Sequence, residues 1–469
     1  MRKRASPFVV LAAGLAVLGW ACGDDASSAP DGGGDDAVVD DGTGEEGTDV
    51  PAEDAADVPT DAPGVSVTFI VVERQSDDTN LPLAGVTAAF DAPGGRRTEQ
   101  VTGADGKVTF DDVVWSSGNA ALTAHLDGYA VVSRVDLDEA VVAGAEQVDG
   151  AMAVWLSALP EAGDPIAVSG TATGLVDSAH RYIVNIVNAM AGSEWQGPGA
   201  DAFSVAAPRD GAFTLQGVEA ENAELPSGLG YTMTIHRVAH QSVPASGTDL
   251  TDVVLDFATN EVALETAVDT SVLLPSRAES RLRTVHARSN VCPSNSAYCT
   301  GWATSCDISA DGNRIEATLV WTEPAWAEEP ITLYAAYGPG YQSASYARVP
   351  GWPTAGDRDD VQLLDLPDMV APPTPSTRHP LSEPFVWTLH DTGVTVAVYL
   401  LRDDGVVWSI VPPEDATTAT APALPSTITV EELLGTGVVE GYLFVSRVES
   451  ITGGELELTA HTQNFVVEP

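Results

Sequence analysis

The chain is predicted to be all-β: several tandem Ig-like or transthyretin-like β-sandwich modules that follow a signal peptide and a disordered acidic linker. Three observations predict it. Short runs rich in β-branched residues recur from Val65 onward, separated by Gly, Pro and Asp-Gly turns. One such turn-and-strand signature repeats at the length of a domain, at Asp105 and again at Asp210. Hydrophobic residues make up 44% of 469, enough for real cores in three or four domains of about 100 residues.

The N-terminus carries an address. Arg2, Lys3 and Arg4 form a basic n-region, and Ala5 to Ala21 is an apolar run ending in small residues, the layout of a signal peptide over 1–21. A membrane-spanning helix would need about 20 apolar residues, and this run is shorter and interrupted by Pro7. Leu18-Gly19-Trp20-Ala21-Cys22 resembles a bacterial lipoprotein signal, although Trp20 is bulky and the usual Leu stands one place out. That resemblance implies cleavage before Cys22, acyl chains on its sulfur and a partner in the membrane. Each buried CH₂ would contribute about 0.8 kcal/mol to the anchor. Gly19-Trp20-Ala21 also fits the small-x-small site of ordinary secretion. Either way export is expected, and with the lipid the place is the bacterial cell envelope, at the outer membrane or cell surface.

Charge excludes whole classes of partner. The formal net charge is −47; without Arg2, Lys3 and Arg4 it is 18 cations (21 − 3) against 68 carboxylates. A phosphate backbone needs a basic face, so no nucleic acid is expected, and adsorption to anionic lipid is disfavoured likewise. Residues 22–64 read as a tether: Gly23 to Gly64 holds no Lys or Arg and is built from Asp, Glu, Gly, Ala, Pro and Thr. Such a run cannot offset its ordering entropy, and its like charges extend it.

At Val65 the pattern switches to strands. Val65-Ser-Val-Thr-Phe-Ile-Val-Val72 opens a sandwich over 65–158, in which Ala104-Asp105-Gly106-Lys107 reads as a tight hairpin turn before Val108-Thr-Phe110. Leu83-x-Gly85-Val86, Gly94-Gly95, Asp105-Gly106-Lys107-Val108-Thr109-Phe110 and Asp127-Gly128-Tyr129 resemble the carboxypeptidase regulatory-like (transthyretin-like) sandwich. The resemblance implies the fold of this module and little about its function. No His-x-x-Glu of the family's zinc peptidase occurs anywhere. Related adhesin modules carry Lys–Asn cross-links, and here Lys107 is the one lysine past the signal.

Asp105-Gly-Lys-Val-Thr-Phe-Asp-Asp-Val113 aligns without gaps on Asp210-Gly-Ala-Phe-Thr-Leu-Gln-Gly-Val218, which places a second sandwich at 164–275. Further Asp-Gly turns at Asp311 and Asp404 mark a Cys-containing β-region at 277–370 and a C-terminal sandwich at 380–469. The Pro-rich joint Ala371-Pro-Pro-Thr-Pro375 lies between them, and the sequence leaves open whether they are one domain or two.

Candidate chemistry is sparse. Cys292, Cys299 and Cys306 are disulfide candidates in an exported chain; three cannot all pair, so one thiol is left free or bridges to another molecule. Zinc would need four ligands, with His286 the only nearby histidine. Asp307-x-Ser309-x-Asp311-Gly312-Asn313 starts like a calcium loop, but the closing bidentate Glu is replaced by Thr318, which favours a hairpin. His236 and His240 follow a strand pattern, where i and i+4 lie about 13 Å apart, and no Glu stands between them. No metal site, no cofactor and no catalytic residues are therefore assigned, and no enzyme is expected.

The densest patch is aromatic: Trp321, Trp326, Tyr334, Tyr337, Tyr341, Tyr346 and Trp352 fall within 32 residues. Several stand in Gly338–Pro353, which reads as loop. Core anchoring is the favoured role, since aromatics bury about 150–250 Å² each. The alternative is stacking on sugar rings by Trp326, Tyr337, Tyr341, Tyr346 and Trp352. The sequence thus supports a non-catalytic, exported, lipid-anchored surface protein presenting binding or scaffolding modules to a polysaccharide or surface protein. Its alternatives are a polysaccharide-binding protein using an aromatic loop at 326–352 and a cryptic hydrolase accessory protein.

Overall fold

Alternation of apolar and polar residues along short β-branched runs buries one face of each strand, and the computed structural model of the chain is correspondingly all-β. It describes residues 64–468 except 75–79, 160–165, 178–179, 188–195, 198, 208, 210–211, 225–230, 245–246, 259–261, 274–283, 291–306, 309–313, 325–331, 341–342, 350–357, 374–376, 403–404, 452–453 and 463–464.

Three successive units share one wiring. In each, the opening strand (Val65–Arg74, Ile166–Thr173, Val262–Leu273) pairs in parallel with the closing strand (Ala151–Trp155, Leu250–Asp256, Arg358–Gln362). The same opening strand pairs antiparallel with a middle strand (Lys107–Val113, Ala202–Ala207, Arg314–Pro324). The facing sheet is built on an antiparallel triple: Thr87–Asp91, Ala120–His125 and Val131–Leu137 in the first unit, extended by Arg97–Val101 beside Thr87–Asp91; Arg181–Val187, Ala212–Glu224 and Tyr231–Pro244 in the second; Thr284–Asn290, Thr332–Gly340 and Ser343–Val349 in the third. Joining the first strand to the last ties both ends of a unit into one sheet, so each unit closes on itself.

The cores follow from this pairing. In the first unit Phe69 and Phe110 of one sheet meet Phe90 of the other, with the Phe90 and Phe110 rings stacked at 4.8 Å. Phe69, Val86, Ala88 and Leu122 are fully buried around them. The second unit is filled by Val168, Tyr182, Leu215 and Phe257. The fourth unit has strands Thr395–Arg402, Gly405–Val411, Val439–Ile451, Gly454–His461 and Phe465–Glu468 as its main sheet, packed over Phe385 and Trp387. Across the Pro-rich run, Asp368–Ala371 pairs with Phe385–Thr388, and Leu363, Leu364 and Leu366 enter the same core as Phe385.

Three expectations change. Val262–Leu273, expected within the second sandwich at 164–275, pairs with Arg314–Pro324 and Arg358–Gln362 and opens the third unit instead. The Asp105-Gly106 turn is not a hairpin within one sheet. Arg97–Val101 pairs with Thr87–Asp91, whereas Lys107–Val113 pairs with Val65–Arg74 in the opposite sheet. The turn is held against the opening strand, Val71 N–H donating to Gly106 O and Leu83 N–H to Val71 O, so the chain is steered across the sandwich. The 105-residue repeat is also offset by one strand. Lys107–Val113 occupies the place of Ala202–Ala207, while the Asp210 signature leads into Ala212–Glu224 of the facing sheet. An Asp-Gly turn reports reversal of the chain, not which sheet receives it.

Gly170 marks where the parallel closure of the second unit is tightest. A Cβ there would overlap the Val253 carbonyl oxygen and crowd the Phe203 ring at 2.8 Å. Gly170→Ala is expected to destabilise the chain by about 1–3 kcal/mol, the usual range for overpacking. Chemical denaturation monitored on the second unit checks this, and an unchanged midpoint would contradict the closeness of that pairing.

Candidate functional site

The strand Val131–Leu137 carries apolar residues on both faces, and both are used. Val132 packs in the first unit's core, while Val131 and Val135 belong to the core of the fourth. Along its free edge it pairs in parallel with Gly405–Val411, in the register Val131 to Trp408, Val132 to Ser409, Ser133 to Ile410 and Arg134 to Val411. The corresponding edge of the third unit, Ser343–Val349, pairs antiparallel with Gly454–His461. First, fourth and third units therefore share one thirteen-stranded sheet.

Polar side chains fix the seam between first and fourth units. The Trp408 indole N–H donates to Ser133 Oγ at 2.9 Å in a fully buried setting, and Thr123 Oγ1 lies 2.9 Å from the same hydroxyl. Arg97 forks onto Asp91 at 2.9 and 2.8 Å and reaches across to the Ala423 and Leu424 carbonyls at 3.2 and 2.6 Å. Glu99 accepts from both the backbone N–H and the hydroxyl of Ser426. The Ser426 hydroxyl is the main reason its carboxyl is held below the usual range. His125 Nδ1 sits 3.0 Å from Thr427 Oγ1. Just beyond, Thr429 and Glu432 form a reciprocal capping box on the helix Val430–Leu434, which fixes the far wall of the seam. The Thr429 backbone N–H, then its side chain, hold the Glu432 carboxyl low. Arg134, opposite Val411, is desolvated, and burial pulls its guanidinium down to about 10.

A second constellation lies in the second unit. Glu219, completely buried, accepts from Val176 N–H at 2.8 Å, Asp177 N–H at 3.3 Å and His180 Nδ1 at 2.9 Å. His180 in turn stacks on His236, ring centroids 4.1 Å apart and nearly parallel. The carboxylate pins Val176, Asp177 and His180 to the sheet. Nearby, burial first and Asp201 second push the Tyr182 hydroxyl up to about 12, and that hydroxyl donates to Ala202 O. Among the described residues no group of three or more His, Cys, Asp or Glu is arranged to hold a metal.

The sequence-derived candidates distribute unevenly. Cys22, Cys292, Cys299, Cys306, Trp326, Tyr341 and Trp352 lie outside the described residues. Tyr337 and Tyr346 stand on described backbone, and the segment around them is not a loop. Thr332–Gly340 and Ser343–Val349 are paired strands, with Tyr337 opposite Ser345 and Tyr346 opposite Ala336 on one side and Thr459 on the other. Gly338, Pro339 and Gly340 disguised the end of the first of these strands. The Asp307 segment does form a hairpin ladder, Asp307 facing Glu316 and Ile308 facing Ile315. His236 lies in the strand Tyr231–Pro244, and its ring stacks on His180. Glu219 and His180 were missed; the available signal was a carboxylate directly after the strand pattern Phe213-Thr-Leu-Gln-Gly-Val218.

No protein-family model matches the chain, and no curated protein matches it. Solved structures similar to it include the shaft pilin SpaA of Lactobacillus rhamnosus GG, at 12% identity over 41% of this chain and 97% of that one, TM-score 0.16. A putative adhesin from Bacteroides ovatus is 9% identical over 44% of this chain and 98% of its own, TM-score 0.16. A variant of BcpA, the major pilin subunit of Bacillus cereus, is 9% identical over 64% and 99%, TM-score 0.17. Overlaps this small leave the functional reading to the chain's own residues.

Removing the Ser133 hydroxyl strands the Trp408 N–H in a dry site. Ser133→Ala is therefore expected to cost about 1–3 kcal/mol. Adding Trp408→Phe should recover part of the hydrogen-bond loss, with a coupling of about 1 kcal/mol in a double-mutant cycle by urea unfolding. Strict additivity would show that the bond contributes nothing.

Proposed function

We propose that this is a non-catalytic, exported surface protein in which β-sandwich units are locked into one platform and held off a membrane by the acidic segment 23–64, with Cys22 as the lipid-bearing anchor. The observation that carries this reading is the seam. Strand Val131–Leu137 is shared between the cores of units whose contact residues lie some 275 positions apart, as in the Trp408–Ser133 bond. Units that share a core and a sheet present their outer surfaces in a fixed relation, which suits a scaffold or adhesive platform better than a flexible string of beads. The excess of carboxylates keeps such a surface soluble and steers away polyanions.

Polysaccharide recognition is the second reading. It is favoured by the hairpin strands Thr332–Gly340 and Ser343–Val349, whose register sets Tyr337 opposite Ser345 and Tyr346 opposite Ala336, with Tyr341 between them in the sequence. Ligand stacking by this hairpin, with Trp326 and Trp352 on the flanking segments, would use the faces of the rings.

Cys22→Ser is expected to shift the protein from the membrane fraction to the soluble exported fraction and to abolish fatty-acid labelling. Retention in the membrane fraction would remove the lipid anchor from the proposal. Binding of the protein to a polysaccharide panel, lost in Tyr341→Ala/Trp352→Ala, tests the second reading; silence across the panel would leave protein partners as the occupants of the platform.

A further inference from the structure

We propose that the seam between the first and fourth units is an acid-sensitive latch, held most tightly while His125 is neutral and loosened when it takes up a proton, with each unit remaining folded. The geometry that carries this is the position of the imidazole. His125 ends the strand Ala120–His125 with 6% of its surface exposed, and its Nδ1 lies 3.0 Å from Thr427 Oγ1, 302 positions away in the chain. Its hydroxyl neighbour thus belongs to the other unit, so closing the seam is what completes the ring's surroundings.

The charged groups facing the ring are few. Asp127, in the turn that follows, has Oδ1 3.6 Å from Nε2 and is fully exposed, so water screens it. Glu432, on the helix Val430–Leu434, faces it from the fourth unit with its carboxylate already engaged by Thr429. Arg97 and Glu99 lie further along the same seam and are committed to Asp91 and to the 423–426 segment. Asp127 and Glu432 favour the protonated ring, but loss of water outweighs them and lowers the His125 pKa from its ordinary 6.5.

The sign follows from linkage. A lowered pKa in the closed state means that the open state binds the proton better. Closure is at full strength above about pH 6.5 and weakens as the pH falls through the lowered value. At pH 5.5 this one group can shift the closing equilibrium by at most about tenfold. Glu99 acts in the same direction at lower pH, since its carboxyl is held below 4.5 and its share is lost as the pH falls through that lowered value. Opening separates four paired positions, the Trp408–Ser133 bond, the Arg97 and Glu99 contacts with 423–426, and Val131 and Val135 from the fourth unit's core. The first unit keeps Phe69, Phe90 and Phe110, and the fourth keeps Phe385, Leu443 and Phe465.

Hydrogen–deuterium exchange on the full chain, corrected for intrinsic rates, tests this. Between pH 7.5 and 5.5, protection over 131–135 and 408–411 should fall by up to about tenfold, while 67–72 and 443–446 hold. His125→Gln has no titrating proton and should keep the seam as protected at pH 5.5 as at 7.5. Opening of that variant to the same extent as the unaltered chain overturns the latch. So does an unaltered chain that exchanges equally at the two pH values, or one in which every segment loses protection together. Should the glutamine variant not close even at pH 7.5, the pH curve of the unaltered chain decides. A decline that starts just below 6.5 supports His125, and one that starts only below 4.5 assigns release to carboxylates.

Discussion

A strand buried on both faces is the constraint on which the arrangement of this molecule depends. An ordinary sandwich strand offers one face to its core and the other to water, and an edge strand offers its outer N–H and C=O groups as well. Val131–Leu137 gives Val132 to the first unit and Val131 and Val135 to the fourth, while its outer edge pairs with Gly405–Val411. Apolar surface and backbone hydrogen bonds that would otherwise be an aggregation hazard are spent inside the molecule. The third unit treats its equivalent edge the same way, through Ser343–Val349 and Gly454–His461. The fourth unit is therefore the hub, and its core takes in residues from both neighbours.

Docking two acidic units needs local compensation. At −47 overall, self-repulsion works against bringing two parts of this chain together. The seam answers with hydrogen bonds aimed at specific charges. Glu99 is satisfied by Ser426, Glu432 by Thr429, and Arg97 ties Asp91 to the Ala423 and Leu424 carbonyls. Arg402 likewise donates to the Glu432 and Leu433 carbonyls at the end of a short helix, where a cation is electrostatically welcome. Such partly exposed polar contacts each contribute little, and an exposed ion pair adds only about 0–1 kcal/mol. The buried Trp408–Ser133–Thr123 chain and the apolar contact of Val131 and Val135 carry the larger part.

The second unit shows how the same wiring accepts a different interior. Its opening and closing strands pair in parallel as in the first and third, and it seats a fully buried carboxylate, Glu219, in its interior. Glu219 is tolerated because two backbone N–H groups and His180 bond to it, so that the charge is met from several directions. The stacked His180 and His236 rings then cover one side of the site.

Local pattern was enough to read the all-β class and many strands. Alternation and β-branching at Val65–Val72, and turn chemistry at Asp105-Gly106 and Asp127-Gly128, act over a few residues and leave their mark in the sequence. The Val131-Val132 pair was visible as an apolar run, but not which core would claim each side chain. Sheet assignment, the one-strand offset of the repeat, the hairpin hidden by Gly338-Pro339-Gly340 and the His180–Glu219 contact were decided only by tertiary structure. Each depends on which distant strand supplies the partner, and hydrogen bonding between strands costs the same whether the partner is 10 or 275 residues away once the chain has closed. The sequence by itself determined which residues seek burial; the fold alone decided with whom they are buried.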